Sequence, residues 1–149
     1  MAEQLYGADI EPGDEIGPLV KSPDIDQVKA FLGVWRTEDR NPSVSARFTS
    51  GEGTGDIGFS RPIIPGPMSF AFLSQLLTDW AGPQGRVLSL DLNYRRPTRH
   101  GEDLKCIGLI TDTREDGADT IVKLDVFIED PRGDRPTQGV AEVSLPTSA

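Results

Sequence analysis

Asp39 stands in the segment Glu38-Asp39-Arg40-Asn41-Pro42-Ser43-Val44, a polar stretch whose Asn-Pro pair marks a turn. A carboxylate moves protons in catalysis when its surroundings bring its pKa toward neutrality. Glu52 and Asp56 lie in the glycine-rich stretch 51–58 and offer further carboxylates. Two such groups brought together could divide acid and base roles between them; apart, they are solvated loop charges. Gly51-Glu52-Gly53-Thr54-Gly55 has the look of a phosphate loop. It lacks the Lys-Ser/Thr ending and a preceding strand, so it reads as a loop. His100, in the turn Arg99-His100-Gly101-Glu102, reads as an exposed turn histidine set away from the start of the central helix. Cys106 alternates within a strand and reads as a small buried hydrophobe.

The counts narrow the chemistry further. One histidine excludes any site that needs two from one chain, and one cysteine excludes an internal disulfide and a thiolate metal cluster. With 15 Lys and Arg against 24 Asp and Glu, the net charge is −9. That balance argues against a nucleic-acid partner and against attraction to anionic lipid. The first residues, Met1 to Gly17, carry neither the basic nor the apolar region of a secretory signal. No stretch approaches the roughly 18 apolar residues of a membrane span. The expected location is the cytoplasm. A length of 149 residues, with 36% hydrophobic and 26% charged, fits one soluble domain spanning 1–149.

These residues need elements to position them. Residues 1–18 are acidic, hold Pro12, Gly13, Gly17 and Pro18, and read as an extended arm. A helix starts after Ser22 or Asp24, carries Ile25, Val28, Phe31 and Leu32 on one stripe, and ends near Gly33 to Trp35. Residues 36–62 read as irregular. Met68 to Trp80 is apolar on nearly every side, with Phe70, Phe72, Leu73, Leu76 and Leu77, and reads as a buried helix stopped by Gly82-Pro83. From Arg86 the period changes to two. Four strands, to Tyr94, 103–111, 120–129 and 138–145, form an antiparallel meander. A buried helix followed by a twisted antiparallel sheet predicts an α+β fold with the sheet wrapped around the helix, its edges covered by dimerisation.

On these residues the sequence resembles the MaoC-like dehydratases, or R-specific enoyl-CoA hydratases, of the hotdog fold. Gly13-Asp14-Glu15-Ile16-Gly17 resembles the family's opening. Asp39-Arg40-Asn41-Pro42-Ser43-Val44 stands where the family has Asp-x-Asn-Pro-x-His. Pro62-Ile63-Ile64-Pro65-Gly66-Pro67-Met68 corresponds to the segment entering the central helix, commonly Ile-Ala-His-Gly-Met. Arg95-Arg96-Pro97 with Gly101-Glu102-Asp103 resembles the hotdog sheet motif of a basic residue and Pro followed by Gly-Asp. Leu77 to Pro83 is also similar to the small MaoC-like subunits of actinobacterial steroid side-chain degradation.

The resemblance implies reversible addition of water across the 2,3 double bond of an acyl-CoA or acyl-carrier-protein thioester, with no cofactor. It implies Asp39 as the catalytic carboxylate and the Gly66 N–H as donor to the thioester oxygen as the enolate develops. Asn41, Val44, Arg61, Ile64, Pro65 and Met68 would then surround the substrate, and Arg61, Arg95 and Arg96 would be within reach of CoA phosphates. Val44 departs from the pattern: it replaces the histidine that shares proton transfer with the carboxylate, and valine does neither. Three readings follow. The chain is a lyase acting on a 2-enoyl or 3-hydroxyacyl thioester. Alternatively it is a non-catalytic hotdog subunit completing a heteromeric hydratase, or a divergent dehydratase or isomerase for another small molecule. Its expected partners are an acyl thioester and a second hotdog subunit, as homodimer or heterodimer.

Overall fold

The computed structural model describes residues 3–35, 48 and 63–149. Asp39, Asn41, Val44, Glu52, Asp56 and Arg61 lie outside them. Helix α1 (Ile25–Trp35) starts where the sequence calls for it. The Gln27 N–H donates to Asp24 Oδ1 at 2.8 Å, and the Asp24 N–H donates to Gln27 Oε1 at 3.0 Å. This reciprocal cap satisfies two donors that the helix cannot satisfy itself. Val28 and Leu32 are buried, whereas Ile25 is exposed.

The acidic N-terminal stretch is no free arm. It contains strand β1 (Glu15–Lys21), which pairs antiparallel with β5 (Leu104–Asp116). Gly17-Pro18 hid this strand in the sequence, because proline supplies no ladder donor. The structure accommodates the pair at a sheet edge, with a register break between Ile16 and Leu19. Gly17 sits at φ +90°, and a Cβ there would lie 2.6 Å from the Cys106 carbonyl oxygen.

Helix α2 (Gly66–Ala81) follows the short strand β2 (Ile63–Ile64) and ends at Gly82. Met68, Leu73, Leu76, Leu77 and Ala81 pack on one face of a five-stranded antiparallel sheet. The sheet contributes Leu104, Cys106, Val122, Leu124, Val126, Ile128, Ala141, Val143 and Leu145 to that core. The helix is less enclosed than its composition implies. Phe70 is 41% exposed and Phe72 only partly buried, because one sheet covers one side of a helix that is apolar all round.

The remaining strands are β3 (Arg86–Tyr94), β4 (Thr98–Arg99), β6 (Asp119–Glu129) and β7 (Thr137–Pro146). The sheet order is β1-β5-β6-β7-β3. Only β5, β6 and β7 form the expected meander. β3 does not pair with the next long strand; it crosses to β7, with Tyr94 opposite Thr137 and Arg86 opposite Ser144. The cause is local. Segment 95–103 contains Pro97 and β4, and β4 pairs with β2 instead, Ile63 opposite Arg99 and Ile64 opposite Thr98. Gly139 makes the crossing possible, since a Cβ there would collide with the Asp91 carbonyl oxygen.

Candidate active site

The β2–β4 ladder aims the chain into α2 at Pro65-Gly66. Pro65 caps the helix through its carbonyl, which accepts from the Met68 N–H at 3.0 Å and the Ser69 N–H at 3.4 Å. Pro67 has no N–H. Gly66 therefore carries the one first-turn N–H that has no acceptor among the described residues, and no acidic side chain occupies that turn. The positive end of the helix dipole is left uncompensated there. Gly66 also lets another group come close: a Cβ would lie 3.4 Å from the Tyr94 ring.

Across from Gly66, β3 ends at Tyr94. The Arg95 and Arg96 N–H groups both donate to the Pro136 carbonyl, at 2.7 and 3.4 Å. That pair of bonds ties the exit of β3 to the entry of β7. Between the two sides opens a cleft of about 270 Å³. Ile64, Gly66, Ser69, Tyr94, Thr98 and Thr137 are among its walls, together with Arg95 and Arg96 at the rim. Burial raises the Tyr94 phenol's pKa, so it stays a neutral donor. An N–H at a helix start beside hydroxyls suits a carbonyl oxygen that gains negative charge. Among the described lining residues there is no carboxylate and no imidazole.

Of the residues singled out in the sequence, Ile64 and Gly66 line the cleft. Met68 faces the core at 6% exposure. Pro65 is buried and acts on the site through its carbonyl. Tyr94, Ser69, Thr98 and Thr137 were not legible as site residues. Tyr94 had one available signal, its position directly before Arg95-Arg96-Pro97.

His100 is a correction. It is buried, at 9% exposure, not an exposed turn residue, and it lies close to the segment entering α2. The β4 register carries it toward β2, and the Gly101 N–H donates to the Pro23 carbonyl at 2.9 Å. Burial lowers the imidazole's pKa, against the opposing pull of the Ile63 and Phe48 carbonyls and the Asp24 carboxylate. Its Nε2 has no hydrogen-bond partner among the described residues. His100 is not among the cleft's walls.

The Gly101-Glu102-Asp103 motif does structural work. Glu102, 7% exposed, takes both Arg132 Nη atoms, at 2.8 and 3.1 Å. Arg132 also donates to Asp130 at 2.8 Å, and Asp130 Oδ1 accepts the Arg132 and Asp134 N–H groups at 3.0 Å each. This clasp joins the β4–β5 turn to the β6–β7 turn. Asp103 accepts the Ser22 hydroxyl. Cys106 is fully buried and its thiol is pushed up to about 12, chiefly by burial. No group of three metal-ligating side chains occurs among the described residues, and no described helix is long and apolar enough to cross a membrane.

No family model and no curated protein matches the sequence. Solved structures do match the fold. The R-hydratase PhaJ1 from Pseudomonas aeruginosa is 22% identical, with a TM-score of 0.78 over 99% of this chain and 89% of that one. A MaoC-like dehydratase from Rhodospirillum rubrum is 19% identical, with a TM-score of 0.74 over 97% and 99%. The HadBC complex from Mycobacterium tuberculosis, a 3R-hydroxyacyl-ACP dehydratase, is 13% identical, with a TM-score of 0.70 over 92% and 98%. The chain has the hotdog fold that these MaoC-like dehydratases and R-hydratases share.

Proposed function

We propose that this chain belongs to the MaoC-like hotdog proteins and acts on acyl thioesters, hydrating a 2-enoyl thioester or dehydrating the 3-hydroxyacyl form. The observation that carries the reading is the cleft at the start of α2, where the Gly66 N–H has no acceptor among the described residues. In this role the Gly66 N–H holds the thioester oxygen, which becomes negative as the enolate forms. Losing one such donor typically costs about 10²–10³ in kcat. Asp39 takes the family's carboxylate role and moves the proton between water and C2.

Val44 favours a second reading, in which this chain shapes the acyl pocket of a heteromer and its partner supplies the acid–base pair. HadBC, a complex with the same fold, is a precedent for assembly. Strand β3 is one of the two edges of the sheet, β1 being the other. Its outer side has no strand partner among the described residues, and Leu88 and Tyr94 are 48% and 50% exposed. Edges of this kind are commonly covered by a second subunit.

The test is hydration of crotonyl-CoA by the purified chain, followed by loss of the enoyl chromophore. Turnover by the chain alone, reduced about 10²–10⁴-fold in Asp39→Ala, supports the enzyme reading. Binding of butyryl-CoA without turnover supports the subunit reading. Neither binding nor turnover refutes both.

A further inference from the structure

Four hydroxyl side chains stand among the described walls of the cleft, and three of them are buried: Ser69 at 2%, Thr98 at 5% and Thr137 at 1% exposure. Tyr94 is the fourth, at 50%. Its ring meets Gly66 with the hydroxyl-bearing end. Cε1 and Cζ lie 3.4 Å, and Cε2 3.6 Å, from where a Gly66 Cβ would stand. The phenol oxygen, one bond beyond Cζ, is therefore held beside the first turn of α2. The backbone fixes that position twice. Tyr94 closes the β3–β7 ladder opposite Thr137, and the two following N–H groups donate to the Pro136 carbonyl. The phenol makes no hydrogen bond among the described residues. A side-chain O–H and the Gly66 N–H, neither with an acceptor among those residues, thus border one cleft.

We infer that Tyr94 is a catalytic residue of this site, its hydroxyl donating a hydrogen bond to the same thioester oxygen that the Gly66 N–H holds. The inference rests on the thioester reading above and adds a second donor to it. A carbonyl oxygen has lone pairs for two donors, and preorganised donors aimed at developing charge are the strongest lever on such a reaction. A hydrogen bond from O–H to a negative oxygen is shorter and roughly twice as strong as one to a neutral oxygen. The Tyr94 bond therefore tightens as the enolate forms, and it favours the transition state over the bound thioester. The phenol keeps its own proton, which burial secures by raising its pKa. The C2 proton passes to the base, and the electron pair left behind rests on the oxygen between the two donors. Ser69, Thr98 and Thr137 are too buried to share this work with the phenol.

Tyr94→Phe removes one half-exposed oxygen and keeps the ring against Gly66, so a purely packing role survives it. Two measurements on the full chain read the hydroxyl. Infrared difference spectra of butyryl-CoA with a carbon-13 carbonyl report the bound thioester C=O stretch and need no turnover. The wild type should lower that stretch relative to free butyryl-CoA, and Tyr94→Phe should recover part of the shift. In crotonyl-CoA hydration, kcat should fall about 10²–10³-fold in Tyr94→Phe, with KM changed by less than about threefold. The same C=O stretch in both proteins, or a kcat that Tyr94→Phe leaves unchanged, overturns this inference and leaves the thioester reading standing. Failure of the wild type to bind butyryl-CoA overturns the thioester reading itself, and this inference with it.

Discussion

The chain's one histidine is the side chain whose ordinary pKa lies between pH 5 and 7. His100 is 9% exposed, and burial holds its pKa below the ordinary 6.5. The Ile63 and Phe48 carbonyls and the Asp24 carboxylate pull the other way and are outweighed. The folded state therefore binds a proton less readily than the unfolded state. Well above pH 6.5 both states are neutral at this position and the histidine contributes nothing. As pH falls through 6.5 the unfolded state takes up the proton first, and stability is lost until the folded pKa is reached. One proton gives a slope of at most about 1.4 kcal/mol per pH unit. Between pH 6.5 and 5.5 the loss is at most about 1 kcal/mol, reached if the folded state stays unprotonated throughout. Urea unfolding of the wild type and His100→Gln at pH 7.5, 6.5 and 5.5 measures it. Carboxylates titrate in both proteins, so the difference between the two pH dependences belongs to His100. The wild type should lose more stability than the variant over the lower interval, and the imidazole proton signals should titrate below 6.5 in the folded protein. Identical pH dependences, or a folded-state pKa above 6.5, would refute the reasoning.

Other outcomes follow from the packing. Gly139→Ala sets a Cβ against the Asp91 carbonyl and should cost about 1–3 kcal/mol; amide exchange should quicken in β3 ahead of β6, and a β3 as protected as before would contradict the account of the crossing. Arg132→Met leaves Glu102 and Asp130, each 7% exposed, without their shared cation; its melting temperature should fall further than that of Arg114→Ala, which opens an exposed pair. Cys106, fully buried with its thiol pushed up to about 12, should react with a thiol reagent only at the rate of unfolding. Rapid labelling of the folded protein would show that the core opens at β5.

The elements legible in the sequence were those with strong periodicity or explicit stop signals. Helix α2 and strands β5, β6 and β7 carry apolar patterns that one sheet and one helix can bury together. Their pairing was only partly legible, because periodicity fixes a strand's faces and not its neighbours. β3 shows the same alternation wherever it pairs, and its diversion to β7 was decided by the β2–β4 ladder and by Gly139. β1 was hidden by Gly17-Pro18, which break a central strand and are tolerated at an edge. The site was legible at Gly66, where motif and helix start coincide. Tyr94, Ser69, Thr98 and Thr137 come from four elements or connections that meet only in three dimensions. His100 misled for a related reason. A polar residue between Arg99 and Gly101 looks exposed, until the turn is found folded beneath Pro23 and Ile63.

The crossing of β3 to β7 also orders events at the ribosome. The two residues nearest in sequence across that ladder, Tyr94 and Thr137, are 137 − 94 = 43 positions apart. At synthesis rates of about 5–20 residues per second, β3 waits about 2–9 s for the strand it lies against. Meanwhile β5 and β6 can close their hairpin through the tight turn at Gly117. The hydrogen-bonding edge of a strand bearing Leu88, Leu90 and Leu92 is thus left unpaired during synthesis, in the form that other nascent chains aggregate with. The final structure, with β3 paired to β7 from Arg86 to Tyr94, carries no trace of that interval.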